Sequence, residues 1–248
     1  MKPTLFHRAV AEFTGTLLLL AAVVGSGIMA ERLSGGNVAL ALLANTLATG
    51  AALIAIILAF GPISGAHLNP AVTLADAFVG RATGRVRWRE ASAYILAQLT
   101  GAVAGVTAAH MMFGLAALSI STHIRGGRAQ AFSEFVATFG LLAVIWGCAR
   151  SRPSSVPFAV GAYITAAYWF TASTSFANPA VTIARALTNT FSGVRPIDAP
   201  AFIAAQLAGA ACATLLFEWL APRTAADPPV IAEPAFQQAS IAANNSDD

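Results

Sequence analysis

The chain has 248 residues, 57% of them hydrophobic and only 10% charged, with a net charge of +3. A soluble domain carries about 25% charged residues, so this chain cannot clothe a water-facing surface and reads as a membrane protein rather than a buried-core α protein. The small positive balance implies no nucleic-acid partner, and the arginines are better read as topology determinants.

A bilayer crossing needs roughly 20 mainly apolar residues. Six stretches meet that requirement, at about 9–30, 38–60, 91–113, 130–149, 156–175 and 199–220. The first is too long for a cleaved leader and carries Glu12, so it reads as a retained span. In a six-span chain, Lys2, Arg8, Arg81, Arg85, Arg87, Arg89, Arg150, Arg152 and Arg223 fall on one side. Arg32, Arg125, Arg128, Arg185 and Arg195 fall on the other. The positive-inside rule then places both termini in the cytoplasm of a multi-pass protein of the cell's plasma (inner) membrane. Cys148 and Cys212 lie in apolar spans with no ligand cluster beside them, which argues against a disulfide framework, a metal site or any cofactor. The stretch 221–248, rich in Pro, Ala, Asn and Asp, reads as a disordered cytoplasmic tail.

The most informative feature is an internal repeat. His67-Leu68-Asn69-Pro70-Ala71-Val72-Thr73-Leu74-Ala75-Asp76 recurs as Phe176-Ala177-Asn178-Pro179-Ala180-Val181-Thr182-Ile183-Ala184-Arg185. Ala97-Gln98-Leu99 recurs as Ala205-Gln206-Leu207, and Glu12-Phe13 as Glu134-Phe135. The expected unit is therefore one channel domain over 1–220, with repeat one at about 8–112, repeat two at about 130–220, and 113–128 joining them. Each half has three spans, an odd number, so the halves sit in the membrane with opposite orientation.

Each Asn-Pro-Ala segment is followed by an apolar run of about ten residues, too short to cross, and so reads as a re-entrant half-helix. The bend Gly61-Pro62-Ile63-Ser64-Gly65 leads into the first. Asn is a good N-cap and Pro suits the first helical turn, so helices start at Asn69 and Asn178. Inverted symmetry brings the two N-termini together near the midplane, where their partial positive charges oppose protons and cations. The amides of Asn69 and Asn178 offer donors. The non-helical approaches, Gly65-Ala66-His67 and Thr174-Ser175-Phe176, offer backbone carbonyls. Donors flanked by acceptors suit small neutral solutes such as water, polyols and hydroxylated acids. His67 itself reads as a packed loop residue.

These motifs resemble the aquaporin and glycerol-facilitator family (major intrinsic proteins) over residues 8 to about 220. The resemblance rests on Glu12-Phe13-Thr14-Gly15-Thr16, Ser64-Gly65-Ala66-His67-Leu68-Asn69-Pro70-Ala71-Val72-Thr73, Ala97-Gln98-Leu99 with Gly101, Glu134-Phe135 and Asn178-Pro179-Ala180. It implies an all-α membrane fold of six transmembrane helices plus two re-entrant half-helices, one pore per subunit, and a homotetramer in the lipid bilayer. It also implies that Glu12 and Glu134 are buried acids bracing the re-entrant loops, in keeping with an intramembrane acid's need for internal partners.

The chain departs from the family's pattern at the filter. The family's arginine, three residues after the second Asn, is here Val181. The other filter positions fall at Thr49, at Ser175, and at either Tyr168 or Ala166. Val181 in place of a fork of fixed donors predicts a wider, less charged filter. It looks like the bacterial branch of the family associated with arsenic resistance. The resemblance implies a passive channel for arsenous acid, methylated arsenicals and polyols, with some water. Two alternatives are a general water, glycerol or urea channel and a closed-pore structural protein. Arg185 and Asp76, at matching repeat positions, read as vestibule charges at the two mouths. An enzyme finds no support in the sequence: His7, His67, His110 and His123 form no spaced set with the cysteines. No phosphate-binding loop points to a pump.

Overall fold

The computed structural model describes residues 3–83 and 86–220. Lys2, Arg85, Arg223 and the tail 221–248 lie outside the described residues. Among the described residues the chain is all-helical, with eight α-helices in the order α1 Leu5–Leu33, α2 Val38–Ser64, α3 Pro70–Thr83, α4 Trp88–Met112, α5 Arg128–Ser151, α6 Val156–Phe170, α7 Pro179–Arg185 and α8 Ala199–Leu220. Five of them, α1, α2, α4, α5 and α8, are long and apolar enough to cross a bilayer. Their outward faces carry Phe6, Leu47, Leu96, Phe132 and Trp219 exposed. This is the surface of a protein whose solvent on that side is lipid rather than water.

Local chemistry sets the helix ends. Asn37 caps α2 by accepting from the Leu40 N–H at 3.1 Å. The bend expected at 61–65 is instead the last turn of α2, which runs through Pro62 at the cost of one ladder bond and stops where Gly65 turns left-handed at φ 92°. The fifth span, expected to reach 175, ends at Phe170. Beyond it the Thr174 N–H bonds the Thr171 carbonyl at 3.2 Å, and Thr174 and Ser175 take φ of 61° and 49°. The chain must leave the helix there to turn inward. A 3-10 turn, Pro153–Ser155, extends the short α6 at its other end.

The two halves pack alike. In the first, α1 lies against α4 and α2; in the second, α5 lies against α8 and α6; α2 and α6 join the halves. Gly101 of α4 faces the Phe13 carbonyl, and Gly209 of α8 faces the Phe135 carbonyl, each so closely that a Cβ would collide with backbone. Alanine at either would push the helix pair apart. Between the halves, α3 and α7 meet end to end, and each also packs on the last helix of the other half.

Candidate functional site

At the centre the two half-helices brace each other. The Asn69 Nδ2 donates to the Ala177 carbonyl at 2.7 Å, and the Asn178 Nδ2 donates to the Leu68 carbonyl at 2.8 Å. Each Oδ1 caps its own helix: Asn69 accepts from the Ala71 N–H at 2.9 Å, and Asn178 from Ala180 and Val181 at 2.9 and 3.3 Å. An amide nitrogen carries two hydrogens, so each Asn keeps one donor beyond the brace. Pro70 and Pro179 occupy the first helical position, where no N–H is needed.

The approaches to these caps are strained. Ala66 and Leu68 have φ of 46° and 53°, and their repeat counterparts Ser175 and Ala177 have 49° and 48°. Non-glycine residues hold such angles only where the surroundings over-determine them, and here a buried carboxylate does so. Glu12 accepts from the His67 N–H at 2.9 Å, the Leu68 N–H at 2.7 Å, the Ser64 Oγ at 2.6 Å and the Gln98 Nε2 at 2.8 Å. Glu134 accepts from the Phe176 N–H at 2.9 Å, the Ala177 N–H at 2.8 Å and the Gln206 Nε2 at 2.6 Å. The glutamines bridge onward to Thr73 and Thr182 of the half-helices at 2.9 and 2.8 Å. The repeated Glu, Asn-Pro-Ala and Ala-Gln-Leu segments thus form two copies of one device.

One cavity runs along this device. Its wall takes in Asp76, Val72, His67, Asn69 and Asn178, then Phe176, Ser175, Val181, Thr49, Tyr168 and Arg185. Apolar side chains, among them Leu141, Ile145 and Ile164, line much of the remainder. Asp76 and Arg185 each lie seven residues beyond their Asn, about 10 Å along diverging axes, so they mark opposite ends. Ala66 and His67 are in the wall, whereas Gly65 and Thr174 stand just outside it. The His67 ring packs edge-on to Tyr94 at 5.5 Å, with its Nδ1 3.2 Å from the Thr73 hydroxyl.

Thr49, Tyr168, Ser175 and Val181 come together in the half of the cavity beyond Asn178. Tyr168 donates to the Thr49 hydroxyl at 3.3 Å, while Ala166 lies exposed on the opposite face of α6. The Ser175 hydroxyl is buried without a partner among the described residues. Tyr168 reaches across to Thr49, and the Arg185 guanidinium is buried in the same wall, its carbon 3.4 Å from the centroid of Phe176.

Arg125 was placed by sequence only as a topology charge on the joining segment. The structure folds that segment over the α7 mouth. The Ser119 and Ser121 N–H groups donate to the Leu187 and Ala186 carbonyls at 2.9 and 3.0 Å, and the Arg195 N–H to the His123 carbonyl at 2.8 Å. Arg125 then inserts, its Nε donating to the Gly193 carbonyl at 2.8 Å and its Nη1 lying 3.4 Å from the Ser173 carbonyl and the Thr174 hydroxyl. Its guanidinium also lies over Phe176, at 5.4 Å. Asp198 anchors this loop: its Oδ2 accepts from the Arg125 N–H at 2.9 Å and from the Arg195 Nε at 3.0 Å.

Two inverted half-helices, capped against each other over one cavity inside a bundle of apolar helices, define a membrane channel of the inverted-repeat type. Comparison with known proteins identifies the type: the chain belongs to the major intrinsic protein family, whose model matches residues 1–173 and 150–245. It is 56% identical over 216 residues to aquaglyceroporin AqpS of Rhizobium meliloti, covering 87% of this chain and 91% of that one. It is 34% identical over 230 residues to aquaporin TIP1-2 of Zea mays, covering 87% and 86%. Among solved structures, the aquaglyceroporin from Plasmodium falciparum superposes with a TM-score of 0.64 at 20% identity, over 90% of this chain and 98% of that one.

Proposed function

We propose that the chain is a passive channel for small uncharged, hydroxylated solutes: polyols such as glycerol, arsenous acid and methylated arsenicals, with some water. The observation that carries this is the polar lining beyond Asn178. Ser175 with its unpartnered hydroxyl, the Asn69 and Asn178 amides, and Thr49 with Tyr168 lie in a wall that is otherwise mainly apolar, with Asp76 and Arg185 toward its two ends. A solute with several hydroxyls replaces its lost water bonds there one at a time, and the mainly apolar wall gives an ion too few groups to replace a full hydration shell. The likeness to a protein named an aquaglyceroporin supports the polyol part of the reading. The arsenical part rests on Val181, where the family's arginine is missing.

In this reading Thr49, Tyr168, Ser175 and Val181 form the selectivity filter, with Asn69 and Asn178 as the central donors. The protein works as a homotetramer in the plasma membrane with both termini cytoplasmic, and needs no cofactor. Water, glycerol and arsenite permeability of purified protein in liposomes, measured side by side, tests all of it. Glycerol and arsenite rates well above those of empty vesicles are expected. Arsenite at the empty-vesicle rate with glycerol flux intact removes the arsenical claim and leaves a polyol channel. No swelling with any solute removes the channel claim in favour of a closed-pore structural protein.

A further inference from the structure

The channel reading leaves the Arg185 guanidinium in the cavity wall without a role. Arg185 is buried at 2% exposure. Its Nε donates to the Ser192 carbonyl and its carbon lies against Phe176, but its Nη1 is buried with no partner among the described residues. Leaving a charged donor unpaired and buried is costly, so a group without a fixed partner in a cavity wall points to a partner that passes. No carboxylate forms an ion pair with it among the described residues. The Arg125 guanidinium lies over the same Phe176 ring, at 5.4 Å. Both Glu134 oxygens are already taken by Phe176, Ala177 and Gln206.

Helix geometry explains how it reaches the filter. Arg185 is one turn beyond Val181, so the two share a face. Long side chains on a helix point back toward its N-terminus, which here is the filter. Val181 is short enough to leave that path open. An arginine at 181 would occupy it.

We infer that Arg185 supplies the charged donor of this pore from one turn further out, giving a hydrogen bond to an acceptor oxygen of the passing solute and repelling cations. The inference rests on the channel reading and deepens it. Phe176 and Ser192 hold the guanidinium plane, and Nη1, buried without a partner, is the donor left over for a solute. Val181 is then one half of an exchange of position rather than a plain loss of charge.

The test is proton leak and glycerol flux in the same proteoliposomes, each referred to empty vesicles. Wild type should pass glycerol without proton leak; absence of glycerol flux in wild type would overturn the channel reading itself. Arg185→Gln should lower glycerol flux, because a charged donor to the solute is lost, and raise proton leak about tenfold or more, the factor for one unit charge about 10 Å from the ion at an effective dielectric of about 20. Arg185→Gln combined with Val181→Arg should return the leak to the wild-type level. Arg185→Gln with glycerol flux intact and no added leak overturns the role of Arg185. Should that variant fail to insert, Arg185→His is read at pH 5 and pH 8. A leak that rises with pH, as the imidazole loses its charge, supports the inference, and a leak independent of pH overturns it.

Discussion

The two ends of the cavity are built from the same ten-residue motif and differ most in its last residue, Asp76 at one end and Arg185 at the other. The centre differs hardly at all. Each approach is left-handed at matching residues, each is held by a buried glutamate, each Asn caps its own helix and bonds across to the other half. The comparison separates two demands. Holding strained backbone at membrane depth has one good solution, and both halves use it. The solute path makes no such demand for symmetry, and there the halves diverge: Val181, Ser175, Tyr168 and Arg185 have no like set around Val72.

The largest expected effect probes the shared device. Glu12 satisfies four donors and Glu134 three. Glutamine at either position replaces charge-assisted bonds by weaker neutral ones and turns an NH₂ toward donors. With about 1 kcal/mol lost per bond, Glu12→Gln should cost about 4 kcal/mol and Glu134→Gln about 3 kcal/mol. Thermal unfolding in detergent should rank them in that order. The reverse order would mean that the second approach carries more strain than the first.

The next effect probes the difference between the halves. Val181→Arg should cut glycerol flux about tenfold, equivalent to about 1.4 kcal/mol of added barrier, and water flux by less. Equal flux of every solute before and after would show that Val181 is outside the constriction. A smaller effect compares the two caps. Asn178 accepts from two backbone N–H groups and Asn69 from one. Asn178→Ala should therefore lower stability by about 2 kcal/mol and Asn69→Ala by about 1 kcal/mol, read from the same melts. Equal losses would mean that the cross-braces, which the two share, carry the energy.

The division between what sequence makes legible and what it does not follows the same line. The central device was readable because it is doubled and because its parts have local causes: Asn then Pro starts a helix wherever it occurs, and an acid in an apolar span needs partners. The lengths of the half-helices were not readable. α3 runs 14 residues and α7 only 7, because the segment after α7 folds back on the joining loop, with the Val194 N–H on the Arg185 carbonyl at 3.2 Å. Tyr168 and Ala166 could not be separated by counting, since the choice depends on where α6 ends and the loop begins. Arg125 was invisible as a pore-mouth residue. Its place is set by long-range backbone bonds from a segment with no periodicity.

The smallest effect concerns that loop, which exists at the Arg185 end. Asp198 holds it, and the Arg195 guanidinium beside the carboxylate keeps the Asp198 pKa below its ordinary value, with the Arg125 N–H adding to the same shift. A depressed folded pKa means that the ionised form stabilises the fold. The contribution is complete above the unfolded pKa of about 3.9 and is lost as pH falls through the lower folded value. Arg195 is a third exposed, so solvent screening keeps the gain small. Asp198→Asn should melt slightly below wild type at pH 7, and the gap should close on acidification below about pH 4. Because Arg125 touches the approach to the proposed filter through Ser173 and Thr174, the same variant should also loosen solute discrimination at pH 7 while leaving the Asp76 end unchanged. A variant with an unchanged glycerol-to-water flux ratio would show that the loop anchors the fold without shaping the filter.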